Sequence, residues 1–154
     1  MRKLITVAAA LALLALAAPA DARVRAGVLE CTVAPGVGFL IGSQKSVACV
    51  YKSNYGFYER YNGIMSRAGF DVGYTTGGQF AWIVYAPARP GPGALAGGYA
   101  GASGEATVGA GLSANALVGG LQNSITLQPL SVGAQRGLSA AVGISGLSLE
   151  FAPQ

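Results

Sequence analysis

The side chains able to do chemistry are few and scattered. After residue 22 the carboxylates are Glu30, Glu59, Asp71, Glu105 and Glu150. A glycosidase-like acid and nucleophile would need two of them to converge from distant parts of the chain, since no local spacing pairs them. Ser43-Gln44-Lys45-Ser46 sets a serine beside a lysine, the residue types of a Ser-Lys nucleophile and base, but a polar hairpin turn accounts for the same four residues. The chain has no histidine. That excludes an imidazole base, a Ser-His dyad and a His-ligated metal. Gly36-Val37-Gly38 and Gly109-Ala110-Gly111 lack the third glycine and the following helix of a dinucleotide site, and read as strand glycines. The expectation is no catalytic residue, no metal and no cofactor. An enzyme would have to be built around Asp71, Lys45 or Glu105, for which sequence spacing names no catalytic companion.

Two cysteines remain, Cys31 and Cys49. Their spacing is not the C-x-x-C of a redox pair, in which one thiol pKa is lowered. Their meaning depends on compartment, and the N-terminus supplies it. Arg2 and Lys3 are followed by an uncharged run from Leu4 to Ala17, then Ala18-Pro19-Ala20-Asp21-Ala22. A short basic segment, an apolar core and small residues at the cut describe a secretory signal peptide over residues 1–22. The apolar run falls short of the roughly 20 residues that span a bilayer, and Pro19 ends it. Export to the periplasm, an oxidising compartment, predicts one disulfide between Cys31 and Cys49. Closing a loop of about 19 residues contributes roughly 3 kcal/mol in the chain-entropy model.

Residues 23–154 are expected to form a single domain, and their dominant rhythm is two. Leu29, Cys31 and Val33 share one parity, as do Val47, Cys49 and Tyr51, which puts each cysteine on an apolar strand face. Val37, Phe39 and Ile41 form a short strand between Gly36 and Gly42, so the cysteines would meet across two outer strands or crossed sheets. Asn54-Tyr55-Gly56 turns the chain. Ile64, Ala68, Phe70, Val72 and Tyr74 then hold one parity. Phe80 to Tyr85 is apolar on both faces, which predicts a doubly buried strand. Prolines at 87, 90 and 92 make 86–93 a Pro/Gly-rich surface loop.

Every even position from Ala94 to Gly120 is Ala, Gly, Val or Leu, predicting two long strands, broken near Ser103-Gly104-Glu105, whose inner face is small. Ile125 and Leu127 alternate up to Pro129. Leu138, Ala140, Val142 and Ile144 take the even face, whereas Leu147, Leu149 and Phe151 take the odd, and the slip at Ser145-Gly146 marks a β-bulge. Tyr51, Tyr55, Tyr58 and Tyr61 have helical spacing, but Gly56 and its neighbours favour a loop cluster of aromatics. The fold class is therefore all-β: a small antiparallel β-barrel or barrel-like sandwich of about 8–10 strands.

The same alternation also fits a transmembrane barrel. Against that, the chain ends Phe151-Ala152-Pro153-Gln154 instead of on a strand-final aromatic, and one face is mostly Ala and Gly. Eight basic and five acidic residues follow Ala22, with no lysine or arginine cluster beyond Arg23 and Arg25, so no nucleic-acid partner is expected. A non-enzymatic protein of the cell envelope fits this inventory, its partners an envelope protein or lipid, and association with the outer membrane is compatible with it. The alternative is a barrel that binds a lipid or other small apolar ligand, with Phe80, Trp82, Tyr85 and Tyr99 as wall residues.

A family likeness runs along the chain. Val24 to Cys31, the Gly36 to Ser46 run, Gly69-Phe70-Asp71-Val72-Gly73-Tyr74-Thr75-Thr76-Gly77-Gly78 with Ala81-Trp82, and Gly93 to Gly97 with Gly101 to Gly109 resemble the bacterial domain of unknown function 992 family. That resemblance implies an exported protein and carries no assigned activity. Leu130-Ser131, Gly137 to Ala140 and Leu147 to Glu150 are similar to the closing strands of SYLF lipid-binding domains and of small envelope-integrity barrels. The basic amphipathic helix of SYLF domains has no matching residues here, so this second likeness speaks to a compact barrel near the cell envelope.

Overall fold

The computed structural model describes residues 23–38, 43–67, 73–75, 78–101, 116–130 and 144–153. Among these residues ten strands follow one another: β1 (Val24–Val33), β2 (Gly36–Gly38), β3 (Ser43–Ser53), β4 (Tyr58–Arg67), β5 (Gly73–Thr75), β6 (Gly78–Ala86), β7 (Gly97–Gly101), β8 (Leu117–Gly119), β9 (Ile125–Pro129) and β10 (Ile144–Phe151). Eight of them close into an antiparallel barrel in the order β1-β3-β4-β10-β7-β8-β9-β6, with β6 pairing back onto β1. Strands β2 and β5 form a separate two-stranded sheet. Closure leaves no unpaired sheet edge in the barrel, which removes the usual site of edge-to-edge aggregation.

Alternation builds the core. Leu29, Cys31 and Val33 from β1, Val47, Cys49 and Tyr51 from β3, and Phe80, Trp82 and Val84 from β6 all point inward and are buried. Ser46, Ala48 and Glu30, one residue out of step, face solvent. Strand β10 carries the bulge expected from its parity slip: the register with β4 shifts between Ile144 and Gly146, which lets Ile144 and Leu147 both point inward. A second register shift, between Arg25 and Gly27 of β1, buries Ala26 and Gly27 side by side. The Ala26 carbonyl there accepts from the Tyr51 hydroxyl at 3.0 Å and from the Asn54 amide at 2.9 Å, so the bulge anchors the β3–β4 turn.

Four sequence expectations need correction. The cysteines do not meet across two outer strands. Strands β1 and β3 are direct neighbours, and β2 leaves the barrel to pair with β5. Most small even residues of the 94–120 segment do not face inward where the structure describes them: Leu95, Tyr99 and Leu117 are buried, while Gly98 and Ala100 are exposed and only Ala116 of the even set is buried. A few large side chains outweigh a majority of small ones, because burial follows apolar area and not the number of apolar residues. The same reason turns β4 over, with Met65 buried and Ile64 exposed. Strand β6 is buried on one face only, its Ala81, Ile83 and Tyr85 being half-buried on the outside. The expected break at Ser103-Gly104-Glu105 and the alternation of Leu138 to Val142 lie outside the described residues.

Candidate functional site: the aromatic and cationic end of the barrel

The disulfide expected between Cys31 and Cys49 is present. The two residues are partners in the β1–β3 register, with Cα atoms 4.1 Å apart, and both are buried. Adjacent strands hold directly opposed side chains close enough to bridge.

Phe80, Trp82 and Tyr99 face the interior, where they belong to the buried hydrophobic cluster, and the rings of Phe80 and Trp82 meet edge-on at 4.5 Å. Tyr85 sits on the opposite face of β6. The proposed ligand wall is thus split between the inside and the outside of the barrel. Trp82 is buried, with 1% of its surface exposed. Lys45 and Glu59 are both buried, yet Lys45 lies opposite Met65 and Glu59 opposite Tyr51, so six strand positions, about 20 Å, separate them along the barrel. Asp71 and Glu105 fall outside the described residues. Among the described residues no three His, Cys, Asp or Glu side chains gather as metal ligands.

One end of the barrel is built differently from the rest. The β3–β4 turn, the start of β1, the end of β10, the loop from Pro87 to Ala96 and the turn at Leu121–Asn123 all meet there. The loop crosses the opening and inserts Leu95, which is fully buried. A polar network ties it down. The Tyr61 hydroxyl donates to Glu59 Oε2 at 2.6 Å, the Gly93 amide donates to Glu59 Oε1 at 3.1 Å, and the Leu95 amide donates to the Tyr61 oxygen at 3.4 Å. The Tyr99 hydroxyl in turn donates to the Leu95 carbonyl at 2.8 Å. Burial pushes the hydroxyl pKa values of Tyr61 and Tyr99 well above the usual phenol range, and the bond to Glu59 adds to the rise at Tyr61. Tyr51 is raised by burial as well.

On the outside of this plug lie aromatics and arginines. The Arg89 guanidinium stacks 5.0 Å from the Tyr55 ring centre and 5.8 Å from that of Phe57, pinning the loop to the hairpin tip. Two open clefts adjoin. One, of about 330 Å³, is lined by Phe57, Arg89, Pro90, Gly91 and Pro92. The other, of about 550 Å³, runs from Gly56 to Arg60 and across to Phe151 and Pro153. Sequence reasoning placed the Tyr51 to Tyr61 aromatics around a loop, but missed that Arg60, Arg89 and Phe151 join them. Their positions in the chain are too far apart for any motif to announce it.

The outer wall matters for membranes. It is mixed: Gln44, Lys52, Asn62, Gln79 and Glu150 stand on it, with Lys52 and Glu30 in an ion pair at 2.7 Å, beside exposed Ile64 and half-buried Val28, Ile83 and Tyr85. A transmembrane barrel needs a continuous apolar band facing outward, and on this wall charged and polar side chains interrupt the apolar ones. Among the described residues no helix is long and apolar enough to cross a bilayer.

An eight-stranded antiparallel barrel with a packed interior, a cross-strand disulfide and a plugged, aromatic-rimmed end is the class of protein these observations define. Residues 10–150 match the family described as protein of unknown function (DUF992), and the chain belongs to that family. No curated protein and no solved structure matches it.

Proposed function

We propose that this is an exported, non-enzymatic protein of the cell envelope that acts through its surface, chiefly through the aromatic and cationic end. The observation that carries this reading is the distribution of its functional groups. The interior is filled by side chains, and the carboxylates in the described structure are committed elsewhere: Glu30 to a surface ion pair, Glu59 to holding the plug, Glu150 to the exposed wall. What remains available to a partner is the rim. The disulfide supports export, since such bonds persist in oxidising compartments. In a bacterial host, an epitope-tagged chain is expected in the periplasmic or envelope fraction, processed to begin at Arg23, with no free thiol when unfolded without reductant. A photo-crosslinker placed at Tyr58 is expected to capture an envelope component, protein or lipid, that one at Ile64 on the wall does not. Retention in the cytoplasm with free thiols, or equal capture from both positions, refutes it.

A further inference from the structure

Six large apolar side chains are prominently exposed among the described residues: Val24, Tyr55, Tyr58, Ile64, Leu121 and Phe151. All but Ile64 sit at the plugged end, and they come from four separate rim segments instead of from one groove. Tyr58 and Leu121 are the most exposed of the six, at 72% and 63%. The exposed Arg23, Arg25, Arg60 and Arg89 stand at the same end. Of the nearby carboxylates, Glu59 is buried under the loop with both oxygens bonded, and Glu30 is paired with Lys52, leaving Glu150 on the wall. The end is therefore both apolar and net cationic.

We propose that this end docks on the surface of an anionic phospholipid bilayer, a proposal that rests on the surface-acting envelope reading above. Tyrosine and phenylalanine rings spread around a rim suit a continuous fluid interface, where an apolar ring enters the headgroup layer and a hydroxyl stays wet. A recessed protein hot spot would instead gather its anchors in one desolvated pocket, whereas both clefts here are open to solvent. Arginines between the rings pair with lipid phosphates, as planar guanidinium groups do. The charged and polar positions of the wall, Lys52, Glu30, Asn62 and Glu150 among them, keep the barrel on the surface and out of the hydrocarbon.

The test is co-sedimentation of the processed, disulfide-bonded chain with vesicles of phosphatidylcholine alone or with 30% phosphatidylglycerol. Binding is expected only to the anionic vesicles, falling more than tenfold in high salt. Arg60→Gln and Arg89→Gln are each expected to weaken it about fivefold, and Tyr58→Ser to weaken it without altering the salt dependence. Trp82 lies in the core, so its emission is expected to stay unchanged on binding, which separates docking from opening of the barrel. Equal binding to both vesicle types, equal binding to soluble dextran sulfate, or a shift of Trp82 emission overturns the proposal. If vesicles are ignored while Tyr58 still crosslinks to an envelope protein, the bilayer is the wrong partner and the surface reading stands. If Tyr58 captures nothing as well, both fall.

Discussion

Removing one oxygen from Tyr61 tests how the barrel end is closed. Its hydroxyl is buried, donates to Glu59 at 2.6 Å and accepts from the Leu95 amide at 3.4 Å. In Tyr61→Phe the bond to a carboxylate is lost, worth about 1.5–3 kcal/mol, and a buried amide is left without its partner at a further cost of about 1 kcal/mol because that bond was long. Glu59 keeps the Gly93 amide. The expected loss is about 2.5–4 kcal/mol, a fall in Tm of roughly 8–12 °C for a domain of this size. Glu59→Gln, which keeps one acceptor, is expected to cost less. The double variant is expected to be no worse than Tyr61→Phe by more than about 1 kcal/mol, because the two side chains share one interaction. Thermal unfolding by circular dichroism gives the totals, and hydrogen exchange gives the place: the Gly93 and Leu95 amides are expected to lose protection before the β1–β3 ladder does. A Tyr61→Phe protein as stable as the parent, with Leu95 still protected, would refute the claim that this network holds the plug.

Replacing both cysteines with alanine is expected to cost about 3 kcal/mol, read as a lower denaturant midpoint that reducing agent no longer shifts. Gly63→Ala is expected to cost about 3 kcal/mol by urea unfolding, since a methyl there runs into the Ser148 carbonyl oxygen across the β4–β10 ladder. Stability is expected to fall steeply above about pH 10. Tyr51, Tyr61 and Tyr99 have folded pKa values raised above the unfolded value, so in that range the unfolded chain releases protons that the folded one keeps. Each tyrosine thus contributes stability that is fully present below the unfolded pKa and is lost above it at up to about 1.4 kcal/mol per pH unit. Urea midpoints between pH 8 and 11 check the sign, and a flat profile would contradict it.

Much of the barrel could be read from the sequence, for a physical reason. In β1, β3 and β6 the inward residues are both larger and more apolar than the outward ones, so period-two alternation and burial agree at Leu29, Cys49 and Trp82. The β10 bulge was legible for the same reason, as Ile144 and Leu147 change parity across a glycine. Alternation misled wherever number and size of apolar residues disagreed. Small residues on the even face from Ala94 onward promised an interior, yet Leu95, Tyr99 and Leu117 took it. Local rhythm also cannot say which strands are neighbours. The direct pairing of Cys31 with Cys49 follows from β2 leaving the barrel, a choice made in three dimensions. The rim was hidden by the same limit: Arg25, Arg60 and Arg89 form no cluster in sequence and share one end only after closure.

That closure also constrains where function can reside. A barrel of eight strands is just wide enough for its interior to be filled by side chains, and here Trp82, Tyr51, Tyr61 and Leu29 fill it while Leu95 shuts one mouth. Such an object has spent its apolar interior on stability. Its remaining assets are rigidity and the surface that rigidity holds in place. The disulfide, the Tyr51 bond to the β1 bulge and the Glu59–Tyr61–Leu95 network converge on β1, β3, β4 and the plug, the elements that carry Tyr55, Tyr58, Arg25, Arg60 and Arg89. Exposed rings on a mobile loop would lose rotational and backbone freedom on docking; mounted on this frame, they lose little. The internal polar network and the external aromatic rim are in this sense one device, and loosening the plug through Tyr61→Phe is expected to weaken vesicle binding even though Tyr61 is buried.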